Sequence, residues 1–181
     1  MNRKLMLFLS LILVGTIVFT GCSSPTSKTG EKILRSNNGS EPGSLDPALA
    51  QGTHESWVLE NVFEGLMTFD EKGELVKGTA KDYKVSDDGL TYTFTIRDDA
   101  KWSNGDPVTA EDFEFTWKRA LDPELAAEYA TILYYIKGGE AYNTGEGSRD
   151  DVAVKAIDEK TLEVTLEFPT AYFLELTAFY T

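Results

Sequence analysis

Few side chains in this sequence are equipped for chemistry, and their spacing decides what they can do. There is one cysteine, Cys22, and one histidine, His54. A transition-metal site needs several nitrogen, sulfur or oxygen donors around one ion. His54 has no second histidine to join it, and the nearby Glu55 and Glu60 read as the solvated face of a helix, so no metal is expected. Carboxylates number 30, but no spacing singles out a pair for acid–base work, and no enzyme or cofactor is expected. The tyrosines are more informative. Tyr129, Tyr134 and Tyr135 sit with Ile132, Leu133 and Ile136 in a cluster too broad for one buried stripe, so some must be partly exposed or face a cleft. The competing reading of Tyr129 is a packed ring with its hydroxyl paired, the usual fate of a buried tyrosine. Gly52 permits either a close backbone approach or a simple turn, and Thr53 beside it is suited to cap a helix.

Charge removes one class of partner. The formal net charge is −13, and without residues 1–21 only 15 basic residues stand against 30 acidic ones. Such a surface repels polyphosphate, which argues against nucleic acid. At 41% hydrophobic content the 181 residues are enough to build a real core.

The N-terminus has the form of a targeting segment. Arg3 and Lys4 precede an apolar run, Leu5 to Phe19, broken only by Ser10, Gly15 and Thr16. That run is long enough to span a bilayer, so a retained anchor helix is the alternative. Thr20-Gly21-Cys22 resembles the lipobox of bacterial lipoproteins, with Phe19 where Leu is more usual. The resemblance implies a signal peptide at 1–21 and lipidation of Cys22. A flexible polar tether, 22–30, would then hold the fold outside the cell on the membrane, since two acyl chains give stable anchoring.

The elements that must position any site follow in order. Ile33 and Leu34 predict a short buried strand over Glu31–Ser36, and Asn37–Ser40 a turn. Asp46, before Pro47, reads as an Asx-type turn bonding its own backbone. A helix from His54 to about Gly65 is expected to turn Val58, Leu59, Val62, Phe63 and Leu66 to the core, with Trp57 at core or rim. Two hairpins follow, one turning at Asp70–Gly73 and one at Asp87–Gly89.

The stretch Leu90–Trp117 organises the middle. Leu90, Tyr92, Phe94 and Ile96 alternate with Thr91, Thr93, Thr95 and Arg97, the pattern of a half-buried strand. A turn through Asn104-Gly105 leads to Thr109 as N-cap, with Asp112 completing a capping box. Phe113, Trp117, Ala120 and Leu121 form the buried stripe, and Asp122-Pro123 stops the helix. Glu124 to about Ile136 predicts helical turns, Gly138-Gly139 and Asn143–Asp151 a mobile surface loop, and Val152–Leu166 a last hairpin. The class is mixed α+β, and no repeat of the kind adhesion arrays carry is present.

As whole strings these segments resemble one family. TFTIRDDAKWSNGDPVTAEDFEFTWKRALDP, LRSNNGSEPGSLDP, and the pair Lys155–Asp158 and Thr161–Val164 are similar to the family 5 extracellular solute-binding proteins, the peptide-binding components of ABC importers. The resemblance implies part of a two-lobed, type II periplasmic-binding-protein-like fold. Residues 31–63 would be the first segment of the large lobe and 64–181 an inserted smaller lobe. It also implies that the polypeptide continues beyond the aromatic TAYFLELTAFYT terminus. The implied function is capture of oligopeptides outside the cell for delivery to permease subunits in the membrane. Family contact positions fall on Gln51, Gly52, Thr53 and Tyr129, although several relatives carry an acid where this chain has Gln51. Alternative solutes are a dipeptide, a nickel complex or a sugar; outside the family, a secreted enzyme or adhesion module remains.

Overall fold

The computed structural model describes residues 33–180. The signal-peptide, Cys22 and tether expectations, all on residues 1–30, therefore lie outside the described residues. The described residues fall into two units, 33–37 and 38–180. Within the first, the described residues 33–37 form no strand, and Ile33 and Leu34 are exposed, contrary to expectation. A strand exists only where a neighbour takes its backbone hydrogen bonds, and none of these residues belongs to a sheet ladder.

The second unit is built around a four-stranded antiparallel sheet. Its strands are β3 (Ala80–Val85), β4 (Thr91–Ile96), β5 (Val154–Asp158) and β6 (Thr161–Thr165), in the order β3-β4-β6-β5. The register explains the alternation read from sequence. Tyr83, Phe94, Leu162 and Ala156 lie in one line across the four strands, and Tyr92, Val164 and Val154 in the next. Phe94, Ile96, Leu162, Val164 and Val154 are wholly buried, whereas the threonines between them on β4 are half-exposed. Burying each such side chain contributes about 1.5–3 kcal/mol relative to exposure.

The same face is covered by α2 (Ala110–Ala120), which packs over β5 and β6. Gly105 makes the approach to it possible, because its φ of +96° belongs to glycine. The helix start is fixed as expected. Thr109 Oγ1 accepts from the Asp112 N–H at 3.4 Å, and the Asp112 carboxylate accepts from the Thr109 N–H at 2.7 Å. Trp117, Ala120 and Leu121 are buried and Phe113 packs partly buried against them. On the same helix Glu114 accepts from the Ala156 N–H at 2.7 Å and pairs with Lys118 at 2.8 Å, which pins α2 to the edge strand.

Around this core sit α1 (Thr53–Val62), the hairpin β1 (Met67–Phe69) and β2 (Leu75–Lys77), a 3₁₀ turn at Glu128–Leu133, α3 (Gly139–Asn143), a second 3₁₀ turn at Arg149–Asp151, and α4 (Phe173–Leu176). Three expectations need correction. The α1 stripe is only partly buried: Leu59 and the following Leu66 are, while Val62 is 66% and Trp57 59% exposed. Periodicity says which side chains share a face, not whether anything covers it. Glu55, read as solvated, is 4% exposed. The loop expected at Gly138-Gly139 and Asn143–Asp151 is not simply a loop; Gly139 opens α3 and Asn143 ends it, accepting from the Tyr134 hydroxyl at 2.7 Å and donating to the Leu121 carbonyl at 2.9 Å.

Candidate functional site

The four residues singled out as ligand contacts come from two distant segments, and the fold brings them together. Gln51 and Gly52 lead into α1; Thr53 is its first residue and Gly52 its N-cap. Tyr129 stands on the 3₁₀ turn and donates its hydroxyl to the Gln51 carbonyl at 3.2 Å, across 78 residues of sequence. At 42% exposure its ring is neither core nor free. It lies 6.0 Å from the Phe179 ring, which stacks on Tyr180 at 4.1 Å. The Tyr180 hydroxyl in turn hydrogen-bonds Ser56 on α1 at 3.0 Å. Three aromatic rings therefore join the turn, the C-terminal segment and the first helix, with Tyr129 exposed and Tyr180 buried.

Backbone chemistry at the corner is unequal. Gly52 donates its N–H to the Glu55 carboxylate at 2.8 Å and its carbonyl accepts from Ser56 at 3.1 Å. Both its groups serve the fold. Thr53, as first helical residue, has an N–H that the helix cannot use. Gln51 and Thr53 side chains are exposed. The corner thus sets the exposed Gln51 and Thr53 side chains and the Thr53 N–H beside the half-exposed Tyr129 ring, whereas the Gln51 carbonyl already accepts from the Tyr129 hydroxyl.

Two carboxylates that sequence reading kept local turn out to be structural ties. Glu55 accepts from the Gly43 N–H at 2.7 Å and faces His54 Nε2 at 2.9 Å. The Gly43 N–H, more than the other donors, holds its carboxyl below the usual carboxylate range against the opposing effect of burial. The available signal was its place three residues after the N-cap. Asp46 does make its turn bond, accepting from the Ala48 N–H at 3.1 Å. It also meets Arg119 of α2 in a two-pronged ion pair at 2.9 and 2.5 Å. That pair depresses the Asp46 carboxyl and raises Arg119. No local signal announces a partner 73 residues away.

A groove of about 680 Å³ runs between α1 and α2, lined by Asp46, Val62, Arg97, Trp102, Phe113 and Arg119 among others. None of the four predicted contact residues lines it.

The antiparallel sheet backed by a capped helix matches part of the type II periplasmic-binding-protein fold of solved relatives. The solved Haemophilus influenzae OppA in complex with RPPGFSPFR superposes with a TM-score of 0.76 at 42% identity, covering 78% of this chain and 27% of that one. Residues 74–181 match the family model described as bacterial extracellular solute-binding proteins, family 5 Middle, and the chain belongs to that family. Oligopeptide-binding protein OppA of Bacillus subtilis is 50% identical across 99% of this chain and 34% of its own length. Dipeptide-binding protein DppE of the same organism is 49% identical across 87% of this chain and 29% of its own length. The chain thus spans about a third of the length of the relatives it matches.

Proposed function

We propose that this chain forms the peptide-facing corner of an extracytoplasmic binding protein that captures oligopeptides and hands them to the permease of an ABC importer. The observation that carries the reading is the convergence of Gln51–Thr53 and Tyr129 on one exposed edge. A relative similar over most of this chain is held in complex with a nonapeptide. Main-chain hydrogen bonds from such an edge give affinity that tolerates many side chains. Binding is the whole activity in this reading, with no catalytic step. Lobe boundaries at 31–63 and 64–181 belong to the same proposal. So does lipidation of Cys22, which keeps the protein at the membrane face from which the importer draws.

The test uses the protein at its full natural length and titration calorimetry with tri- to penta-alanine and RPPGFSPFR. Thr53→Pro removes one N–H at the helix position where proline is best tolerated, after a residue already extended at φ −115°, ψ 165°. It should weaken peptide binding while Thr53→Ala leaves it nearly unchanged. Tyr129→Ala should weaken it too. Unchanged affinity in both Thr53→Pro and Tyr129→Ala, with folding intact, removes the site. A second reading, a dipeptide as the solute, is favoured by the similarity to a dipeptide-binding relative, and di-alanine added to the panel addresses it.

A further inference from the structure

We infer that Glu55 is a positioning residue for the ligand-facing corner: its carboxylate bridges Gly43 and Gly52 and so sets the course of Gln51–Thr53. The inference rests on the reading that this corner faces a peptide. Its own support is geometric. Glu55 is 4% exposed on a short helix whose other residues are mostly open to solvent. A buried carboxylate is tolerated when its oxygens are fully used. Here Oε1 takes the Gly43 N–H at 2.7 Å and faces His54 Nε2 at 2.9 Å, while Oε2 takes the Gly52 N–H at 2.8 Å. These are charge-assisted bonds at a helix N-terminus, where negative charge is favoured.

The two amides belong to separate turns, one before Asp46 and one after Ala50. The carboxylate is therefore a bridge between them rather than a cap alone. Asn38 reinforces the same junction by donating its side-chain amide to the His54 carbonyl at 2.8 Å. With the Gly52 N–H and carbonyl both engaged, the direction in which the Gln51 carbonyl and the Thr53 N–H point is set by this seat.

Gly52 carries the second observation. Its backbone, φ −115° and ψ 165°, is open to any residue, so conformational freedom does not explain a glycine. Space does. A Cβ there would stand 2.6 Å from Glu55 Oε2 and 2.5 Å from His54 Cε1. At Gly43 a Cβ would meet Glu55 Oε1 only at an ordinary contact distance of 3.4 Å. Gly52 thus leaves space shaped to this carboxylate, which a solvated glutamate would not require.

The experiment pairs Glu55→Gln with Thr53→Pro in the full-length protein. Glutamine keeps the shape but offers one acceptor oxygen and an NH₂ that must face an amide N–H. Glu55→Gln should weaken RPPGFSPFR binding at least tenfold. In the Thr53→Pro background, where the positioned contact is already gone, the same change should cost threefold or less. A purely structural role would give the same loss in both backgrounds. Gly52→Ala, which crowds the carboxylate without straining the backbone, serves if Glu55→Gln does not fold, and should reproduce the tenfold loss. Hydrogen exchange of the Gly43 and Gly52 amides reads the seat without any peptide and should accelerate at least tenfold for one or both in Glu55→Gln. Unchanged exchange at both overturns the positioning role even if peptide binds. Exchange that accelerates in a protein that binds no peptide leaves the seat standing and overturns the peptide reading and the ligand-facing role built on it. Wild-type affinity in Glu55→Gln overturns the inference while leaving that reading intact.

Discussion

Neutralising Asp46 should loosen the junction between the first segment and α2, by an amount the geometry bounds. Asp46 meets both terminal nitrogens of Arg119 at 2.9 and 2.5 Å, with the two side chains 29% and 34% exposed. A fully exposed pair contributes about 0–1 kcal/mol, and hydrogen bonds to charged groups about 1.5–3. Half-burial and two-pronged geometry place the coupling at about 1–2 kcal/mol. Asp46→Asn is the cleaner change, because an amide oxygen still accepts from the Ala48 N–H while the charge is gone. For a cooperative unit of about 150–250 residues, about 1–2 kcal/mol corresponds to a Tm lower by roughly 2–8 °C. Urea unfolding of Asp46→Asn, Arg119→Leu and the double variant gives the coupling directly.

The pH dependence has a definite sign. The folded-state pKa of Asp46 is depressed by Arg119, so its contribution is present above the unfolded carboxyl value of about 3.9. It is lost as pH falls through the lower folded value, and the difference between wild type and Asp46→Asn should shrink over that acid range. Additive single losses, or a difference that persists undiminished in acid, would refute the reasoning.

Three further outcomes are expected. Phe94→Ala, which empties the centre of the four-stranded sheet, should cost about 3–5 kcal/mol by denaturant unfolding. Thr109→Ala removes half of the α2 capping box and should cost about 0.5–2 kcal/mol by the same measurement. Cys22→Ala should release the protein from the membrane or leave it unprocessed; fatty-acid labelling that still marks the variant would end the lipoprotein proposal.

The legible parts of this chain were those whose cause is local. The alternation Tyr92–Phe94–Ile96 marks a strand, and Thr109 with Asp112 marks a helix start, because pleat and cap geometry act within a few residues. The failures share a different cause. Val62 in the apolar stripe of α1 and Trp57 beside it stay exposed, and Ile33 and Leu34 look like a strand without a sheet. In each case the missing fact is what lies opposite. The same holds at the candidate site. Tyr129 was visible as one tyrosine too many, but its bond to Gln51 and the tie from Asp46 to Arg119 depend on tertiary closure. Glu55 was misread because a glutamate in a first helical turn is ordinarily solvated, and only the approach of Gly43 shows otherwise.

The most direct test of the central claim is calorimetry of the unmodified full-length protein against a solute panel. Tri- to penta-alanine and RPPGFSPFR are set beside a dipeptide, free nickel and a sugar. The account predicts saturable binding of the oligopeptides with a negative heat-capacity change as apolar surface closes over them. Tight binding of nickel or the sugar, with no heat from any peptide, would contradict it.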